Sequence, residues 1–150
     1  MTLKTSMRNM LNSQNVQTKF DQSIPKTLRA VVKKRVSEVE HLFPGWVNKV
    51  LICYDGSDAD VASIHADYEY RSVCVNIHRA FFEESDWKDS LIHEIGHSLV
   101  RPYVATVARV VESFVPDSVR GFVTEELVKA EEAMVEDLTI FAEKIRGANG

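Results

Sequence analysis

The sequence predicts an α+β domain in which a three-stranded, mostly antiparallel sheet packs on a helix carrying residues 93–97 and on C-terminal helices. Three observations predict this class. Residues 46–77 are rich in strand formers and largely alternate apolar with polar positions, which is typical of half-buried strands. From residue 87 onwards, apolar residues recur at helical spacing instead. A chain of 150 residues, 45% hydrophobic and 27% charged, is long enough for one domain with a buried core.

The N-terminal part of the chain divides into an arm and the start of the domain. Residues 1–22 are rich in Asn, Gln, Ser, Thr and Lys, so we expect a flexible or loosely helical arm. Residues 23–150 are expected to form the single domain. Its first helix should begin near Pro25, which suits a first helical turn, and should stop at Pro44.

The strand region begins with residues 46–54, followed by a strong turn signal at 55–58, which reads DGSD. The next apolar set starts at Ala62 and alternates with polar residues. From Val73 the apolar residues occupy the other parity. We therefore expect a turn or a bulge between Asp67 and Ser72.

Three helical segments follow the strands. Residues 85–86, Ser and Asp, suit the start of the helix that carries 93–97, and Pro102 is expected to end or kink that helix. A long final helix should run from Thr124 to about Arg146. The segment between them has an apolar helical face formed by Tyr103, Val104, Val107, Val110, Val111 and Phe114.

Residues 93–97 read HEIGH and fit the pattern H-E-x-x-H. On a helix, His93 and His97 lie one turn apart on the same side, so their imidazoles can share a Zn²⁺ ion. Glu94 would then act as the catalytic general base for a water molecule. A chance match and a solvated helix face are the alternatives. The roughly opposite side of the helix is apolar, which indicates a core-anchored helix that presents the His pair to a cleft: Trp87, Leu91, Ile92, Ile95 and Leu99.

A catalytic zinc site needs a third protein ligand, and no His follows His97. The final helix is rich in carboxylates. Glu132 is flanked along that helix by Val128 and Val135, so it should border the buried side and provide the ligand. Glu136, one turn further on, should hold the free ring nitrogen of a ligand His. Glu136, and less favourably Glu131, remain open as alternative third ligands.

These residues resemble the gluzincin group of zinc metallopeptidases. The resemblance depends on HEIGH and on the downstream pair Glu132 and Glu136 in EAMVE, and in size the chain is similar to compact metallopeptidases predicted in phage and bacterial genomes. It implies a small zincin-like domain with a helix-borne Glu as third ligand and an acidic residue four positions later that supports a His. It also implies an edge strand that binds extended peptide or protein substrate. The N-E-x-x-S-D signature is absent.

The sequence therefore predicts a zinc-dependent hydrolase, in the first place a metallopeptidase. The alternative is a non-catalytic metal-binding or partner-binding module that retains a zincin-like site. A net charge of -4 gives no electrostatic case for nucleic acid or an anionic membrane as a partner. No apolar run approaches the roughly 20 residues needed to span a bilayer.

No signal-peptide pattern is present, so we expect a cytoplasmic protein. Cys53 and Cys74 are isolated in the sequence, which argues against a cysteine-type zinc site. In a reducing compartment both are expected to be free thiols.

Overall fold

The structure is a computed structural model, and it describes residues 16–148. Within that range the strands are β1 (Gln17–Phe20), β2 (Lys49–Tyr54), β3 (Ala62–Asp67) and β4 (Ser72–Ile77). The helices are α1 (Arg29–Ser37), α2 (Ala80–Glu83), α3 (Trp87–Phe114) and α4 (Asp117–Ala148), with a 3₁₀ turn at Glu40–Leu42. The predicted α+β class is confirmed. Among these helices, none combines the length and the apolar character needed to cross a membrane.

The sheet is mixed, so the prediction of three mostly antiparallel strands is wrong. The described strands lie in the order β1-β2-β4-β3, with β1, β2 and β4 parallel and β3 antiparallel to β4. Burial explains this order. β2 and β4 bury most of the apolar strand residues and occupy the centre, whereas β3 buries only Ala62 and lies at an edge. The buried central residues are Val50, Ile52, Val73, Val75 and Ile77.

The other edge strand, β1, lies inside the segment predicted to be an arm. For residues 17–20 that prediction is wrong, while residues 1–15 lie outside the described part of the chain. The sequence QTKF carries little strand signal because an edge strand with exposed alternate residues needs few apolar side chains. Parallel neighbours require a crossover connection. Here α1 provides it and buries Val32 and Val36 against the sheet.

The predicted change of direction between Asp67 and Ser72 is confirmed as a turn between β3 and β4. No Gly or Pro marks it. Instead the Asp67 carboxylate accepts the backbone N–H of Tyr70 at 3.1 Å, and Arg71 adopts a φ of 51°. The Arg71 guanidinium donates to the carbonyl of Trp46 at 2.8 Å. A side-chain hydrogen bond therefore replaces the turn residue that the sequence lacks.

Pro102 lies within α3, so of the two outcomes expected from the sequence, an end or a kink of the helix, the end is wrong. Proline has no N–H, so the Ser98 carbonyl four residues earlier loses its helical donor. The indole Nε1–H of Trp46 donates to that carbonyl at 3.0 Å. A side chain from outside the helix thus satisfies the acceptor, and α3 continues for three further turns to Phe114.

The final helix begins at Asp117 rather than at Thr124. The carbonyl of Pro116 accepts the N–H groups of Val119 and Arg120, each at 3.0 Å, which closes the first turn. The chain therefore needs only two residues, Val115 and Pro116, to reverse between α3 and α4. The two long helices form an antiparallel hairpin.

The Trp46 contact can be tested by substitution. Trp46→Phe keeps an aromatic ring beside Tyr68 but leaves the Ser98 carbonyl without a donor, which should lower the free energy of unfolding by about 1–3 kcal/mol. Pro102→Ala restores a backbone N–H for that carbonyl. In the Pro102→Ala background, Trp46→Phe should therefore lower the free energy of unfolding by less than it does in the wild type. Urea unfolding of the wild type, the two single variants and the double variant measures this difference. An equal loss of unfolding free energy in both backgrounds would contradict the proposed role of Trp46.

Candidate metal centre

His93 and His97 project from the N-terminal half of α3. Leu91 and Ile95 anchor that half of the helix in the core, where both are almost completely buried. The two imidazoles lie one turn apart, with ring centroids 5.2 Å apart and planes inclined by 76°. The i, i+4 placement predicted from the sequence is confirmed by the continuous helix through this stretch.

A close crossing of α4 over α3 brings the carboxylates to the His pair. At Gly96, a Cβ atom would lie only 2.9 Å from Cγ1 of Val135, whose side chain is completely buried. Real Cβ contacts are not that short, so the two helices approach as they do because residue 96 has no side chain.

Glu132 faces the His pair from α4. One of its oxygens, Oε2, lies 3.7 Å from Nε2 of His93, and the other, Oε1, lies 3.7 Å from Nε2 of His97. Both imidazoles therefore direct the same ring nitrogen towards one carboxylate. Ligand atoms about 2.0–2.2 Å from a tetrahedral zinc ion are roughly 3.4 Å apart, close to these separations.

The other ring nitrogens face two further carboxylates. His97 Nδ1 lies 3.2 Å from Oε1 of Glu131, and His93 Nδ1 lies 3.9 Å from Oε2 of Glu136. An ionised carboxylate can only accept, so a neutral His97 that donates its Nδ1–H to Glu131 keeps the lone pair on Nε2. That is the tautomer a metal ligand requires.

The contact of Glu131 with His97 is the feature of this site that the sequence did not predict, since Glu131 was considered only as a less favourable third ligand. Its side chain is only 15% exposed, against 67% for Glu136. The crowded position is tolerated because His97 lies there as a hydrogen-bond partner. Only the tertiary pairing of the two helices shows this, although two adjacent glutamates before a buried Val135 could have suggested it.

Glu94 lies beside the His pair on the side of the sheet. Ligand-type atoms of His93, Glu94 and His97 lie within 4.8 Å of one another. Burial raises the pKa of the Glu94 carboxyl above its usual value, while the two imidazoles and the backbone N–H of Ile64 oppose that rise. The Glu132 carboxylate adds to the rise. A partly buried carboxyl with a raised pKa is suited to accepting a proton.

Two cavities meet at these residues. One, of about 790 Å³, is bounded by residues 58–62 and by the start of α3; the other, of about 320 Å³, follows β3 from Ser63 to Ala66. Glu94, His97 and Glu132 line both cavities. The candidate metal centre therefore lies at the middle of a trough that runs beside β3.

The edge of β3 that faces this trough has no partner strand among the described residues. The carbonyl of Val61 accepts the N–H of His78 on the β4 side. The N–H and C=O groups of successive strand residues point to opposite edges of the strand. Those of Ile64, three residues after Val61, therefore point away from β4. The N–H of Ile64 is indeed directed towards Glu94. An extended peptide could pair with this edge.

His78 shapes the wall of the larger cavity without lining it. Its Nδ1 lies 2.7 Å from Asp55 and 2.9 Å from Ser57, and its Nε2 lies 3.3 Å from Ser63. The hydrogen bond from His78 lowers the pKa of Asp55 to about 2. These contacts tie the loop after β2 to the ends of β3 and β4. The loop therefore has a fixed path along the trough.

Comparisons with protein-family models, with curated proteins and with solved structures find no match to this chain. Its function is therefore inferred from the geometry of these residues.

Cys53 and Cys74 are remote from the His pair, on β2 and β4. Both are free, as predicted, with their sulfur atoms 3.8 Å apart. Burial and the neighbouring thiol raise the pKa of Cys53 to about 11. Neither thiol is placed to serve the candidate metal centre.

The close helix crossing gives a prediction with an internal control. Gly96→Ala places a methyl group against the β-branched Val135, which cannot easily move, so α4 must shift and carry Glu132 with it. We expect a stability loss of about 1–3 kcal/mol, partly offset by better helix propensity, together with weaker zinc binding. Gly121→Ala on α4 meets no atom within 4 Å. It should stabilise the fold by about 0.5–1 kcal/mol and leave zinc affinity unchanged, as measured by urea unfolding and calorimetry.

Proposed function

We propose that this chain is a zinc-dependent hydrolase that cleaves peptide bonds. The observation that carries the proposal is the convergence of His93 Nε2, His97 Nε2 and the two oxygens of Glu132 at the midpoint of an open trough. Two neutral imidazoles and one carboxylate are a donor set that catalytic zinc sites use. The Glu131 contact supports the fit, because it fixes the His97 tautomer that leaves Nε2 free.

Each residue has a distinct role in this proposal. His93, His97 and Glu132 would hold Zn²⁺, and Glu131 and Glu136 would orient the imidazoles. A zinc ion in such a site would supply Lewis-acid chemistry, because it lowers the pKa of a bound water molecule to about 7 and polarises a carbonyl. Glu94 would accept a proton from the attacking water and pass it to the departing amine. Its partial burial and raised pKa suit both transfers.

The proposed substrate class is inferred from the edge of β3 that has no partner strand within residues 16–148. A peptide in extended conformation can add to an exposed strand edge through main-chain hydrogen bonds, which gives affinity with little dependence on sequence. The trough beside β3 leads past Glu94 and Glu132, so a peptide paired with this edge would pass the zinc ligands. We therefore propose a peptide or protein substrate. The cytoplasmic location expected from the sequence stays a prediction.

The alternative of a purely structural metal site is less well supported by the donor set. Structural zinc sites are usually closed by four protein ligands and favour Cys. Here the proposed ligands His93, His97 and Glu132 face a cavity, and both cysteines lie elsewhere.

The ligand assignment predicts an order of metal affinities. The wild-type protein should bind about one zinc per chain, and Glu132→Ala should reduce its affinity most among the α4 variants. Glu131→Ala and Glu136→Ala should each reduce the zinc affinity by about 10- to 100-fold. The loss should be larger for Glu131→Ala, because the contact of Glu131 with a His ring is shorter and less exposed. Glu125→Ala, which removes a partner of Lys129, is the control and should change nothing. Titration calorimetry with a competing chelator measures all four, and a Glu132→Ala protein with wild-type affinity would exclude this ligand set.

The proposed role of Glu94 predicts that its substitution reduces peptide hydrolysis without reducing zinc binding. Glu94→Gln should keep one zinc per chain, yet hydrolysis of fluorogenic peptides should fall by at least about 10²- to 10⁴-fold because an amide cannot accept the proton. A peptide library screened with both proteins provides the substrate. Zinc bound normally with no Glu94-dependent cleavage of any peptide would favour the non-catalytic metal-binding module instead.

A further inference from the structure

The half of α3 that follows Pro102 carries an apolar stripe that faces solvent. Its large members are strongly exposed: Tyr103 by 72%, Val107 by 44%, Val110 by 51% and Phe114 by 82%. Their spacing of four, three and four residues places them on one side of the helix. The sequence predicted an apolar helical face here, but only Val111 from that set is buried.

The stripe is continuous and uncharged. Thr106 and Ser113 are the polar residues that helical spacing places beside it, whereas Arg109 and Glu112 fall on other sides of the helix. It extends over about 17 Å at 1.5 Å per residue. Scattered exposed apolar residues need no explanation, but a contiguous patch with two exposed rings marks an interaction site.

We propose that this stripe is the contact of a homodimer in which α3 packs antiparallel to α3 of a second copy. These four residues after Pro102 are symmetric about the midpoint between Ala108 and Arg109: Val107 and Val110 are equally distant from it, and so are Tyr103 and Phe114. The exposed Leu99, before Pro102, lies outside this symmetric set. A two-fold axis at that point pairs Val107 with Val110 of the second copy. It likewise pairs Tyr103 with Phe114 of the second copy. A two-fold interface requires this self-complementarity.

The sizes of the side chains agree with such a contact. Valines at the centre let the two helices approach closely, and one ring at each end covers the junction. Two rings of about 150–250 Å² each, together with two half-exposed valines, give less than the roughly 800 Å² per partner of a standard stable interface. The dimer is therefore in concentration-dependent equilibrium with the monomer.

The dimer is independent of the proposed hydrolase. The zinc ligands on α3 precede Pro102, whereas the stripe follows it, so the trough stays open in the paired state. A failure of zinc binding would leave the dimer prediction intact. A failure of dimerisation would likewise leave the zinc prediction intact.

Sedimentation velocity of the full chain, from low micromolar to several hundred micromolar, tests the proposal. The wild type should shift from monomer to dimer as concentration rises. Val110→Glu should weaken the dimer by at least about 100-fold, because symmetry places the charge in the interface twice. Val128→Glu on α4 is the matched control, with 52% exposure against 51%, and should dimerise like the wild type. Circular dichroism checks that each variant is folded.

A mixing experiment tests the antiparallel register. Val107→Glu and Val110→Lys should each be monomeric alone, yet their mixture should form a heterodimer, because the antiparallel arrangement places Glu against Lys and valine against valine. A wild type that stays monomeric at every concentration would overturn the proposal. So would a dimer that tolerates Val110→Glu, or variants that do not recover in the mixture.

Discussion

The contact on which the site depends is the one between Gly96 and Val135. It sets the distance between α3 and α4 at the level of the His pair, since a single added methyl group would already collide. The carboxylate contacts on this pair of helices range from 3.2 to 3.9 Å, so a small separation of the helices would remove Glu132 and Glu136 from reach. The geometry of the candidate site therefore depends on the missing side chain at residue 96.

That contact also concentrates negative charge. Glu131, Glu132 and Glu136 from α4 join Glu94 from α3 around two imidazoles. Like charges at such distances oppose one another, and Glu132 contributes to the raised pKa of Glu94. A divalent cation between the imidazoles and Glu132 would relieve this repulsion. Because such a cation would bind the folded state alone, its binding should stabilise the packing of α4 on α3.

How far the sequence could predict the molecule depended on whether the deciding interaction was local. HEIGH required only helical periodicity, and the parity shift before Val73 located the β3–β4 turn. β1 was missed because an edge strand needs little apolar signal, and the sheet order was missed because β2 pairs with a strand that is not its neighbour in sequence. The effect of Pro102 was misjudged because the Trp46 indole, which donates to the Ser98 carbonyl, comes from a distant loop.

Helix α3 uses three of its sides differently: one packs in the core, one carries the His pair and one carries the apolar stripe. Its N-terminal half buries Leu91 and Ile95 under the sheet and presents the His pair to the trough. Beyond Pro102 the helix packs on α4, and Ala105, Ala108 and Arg109 share a cavity with the end of β3. The side that carries the apolar stripe is exposed. Exposed rings at that position would have to be hydrated in a monomer, which is unfavourable for surfaces of this size. A hairpin that extends beyond its own core would be stabilised if a second hairpin covered it, and such pairing would leave the trough at the opposite end of α3 open.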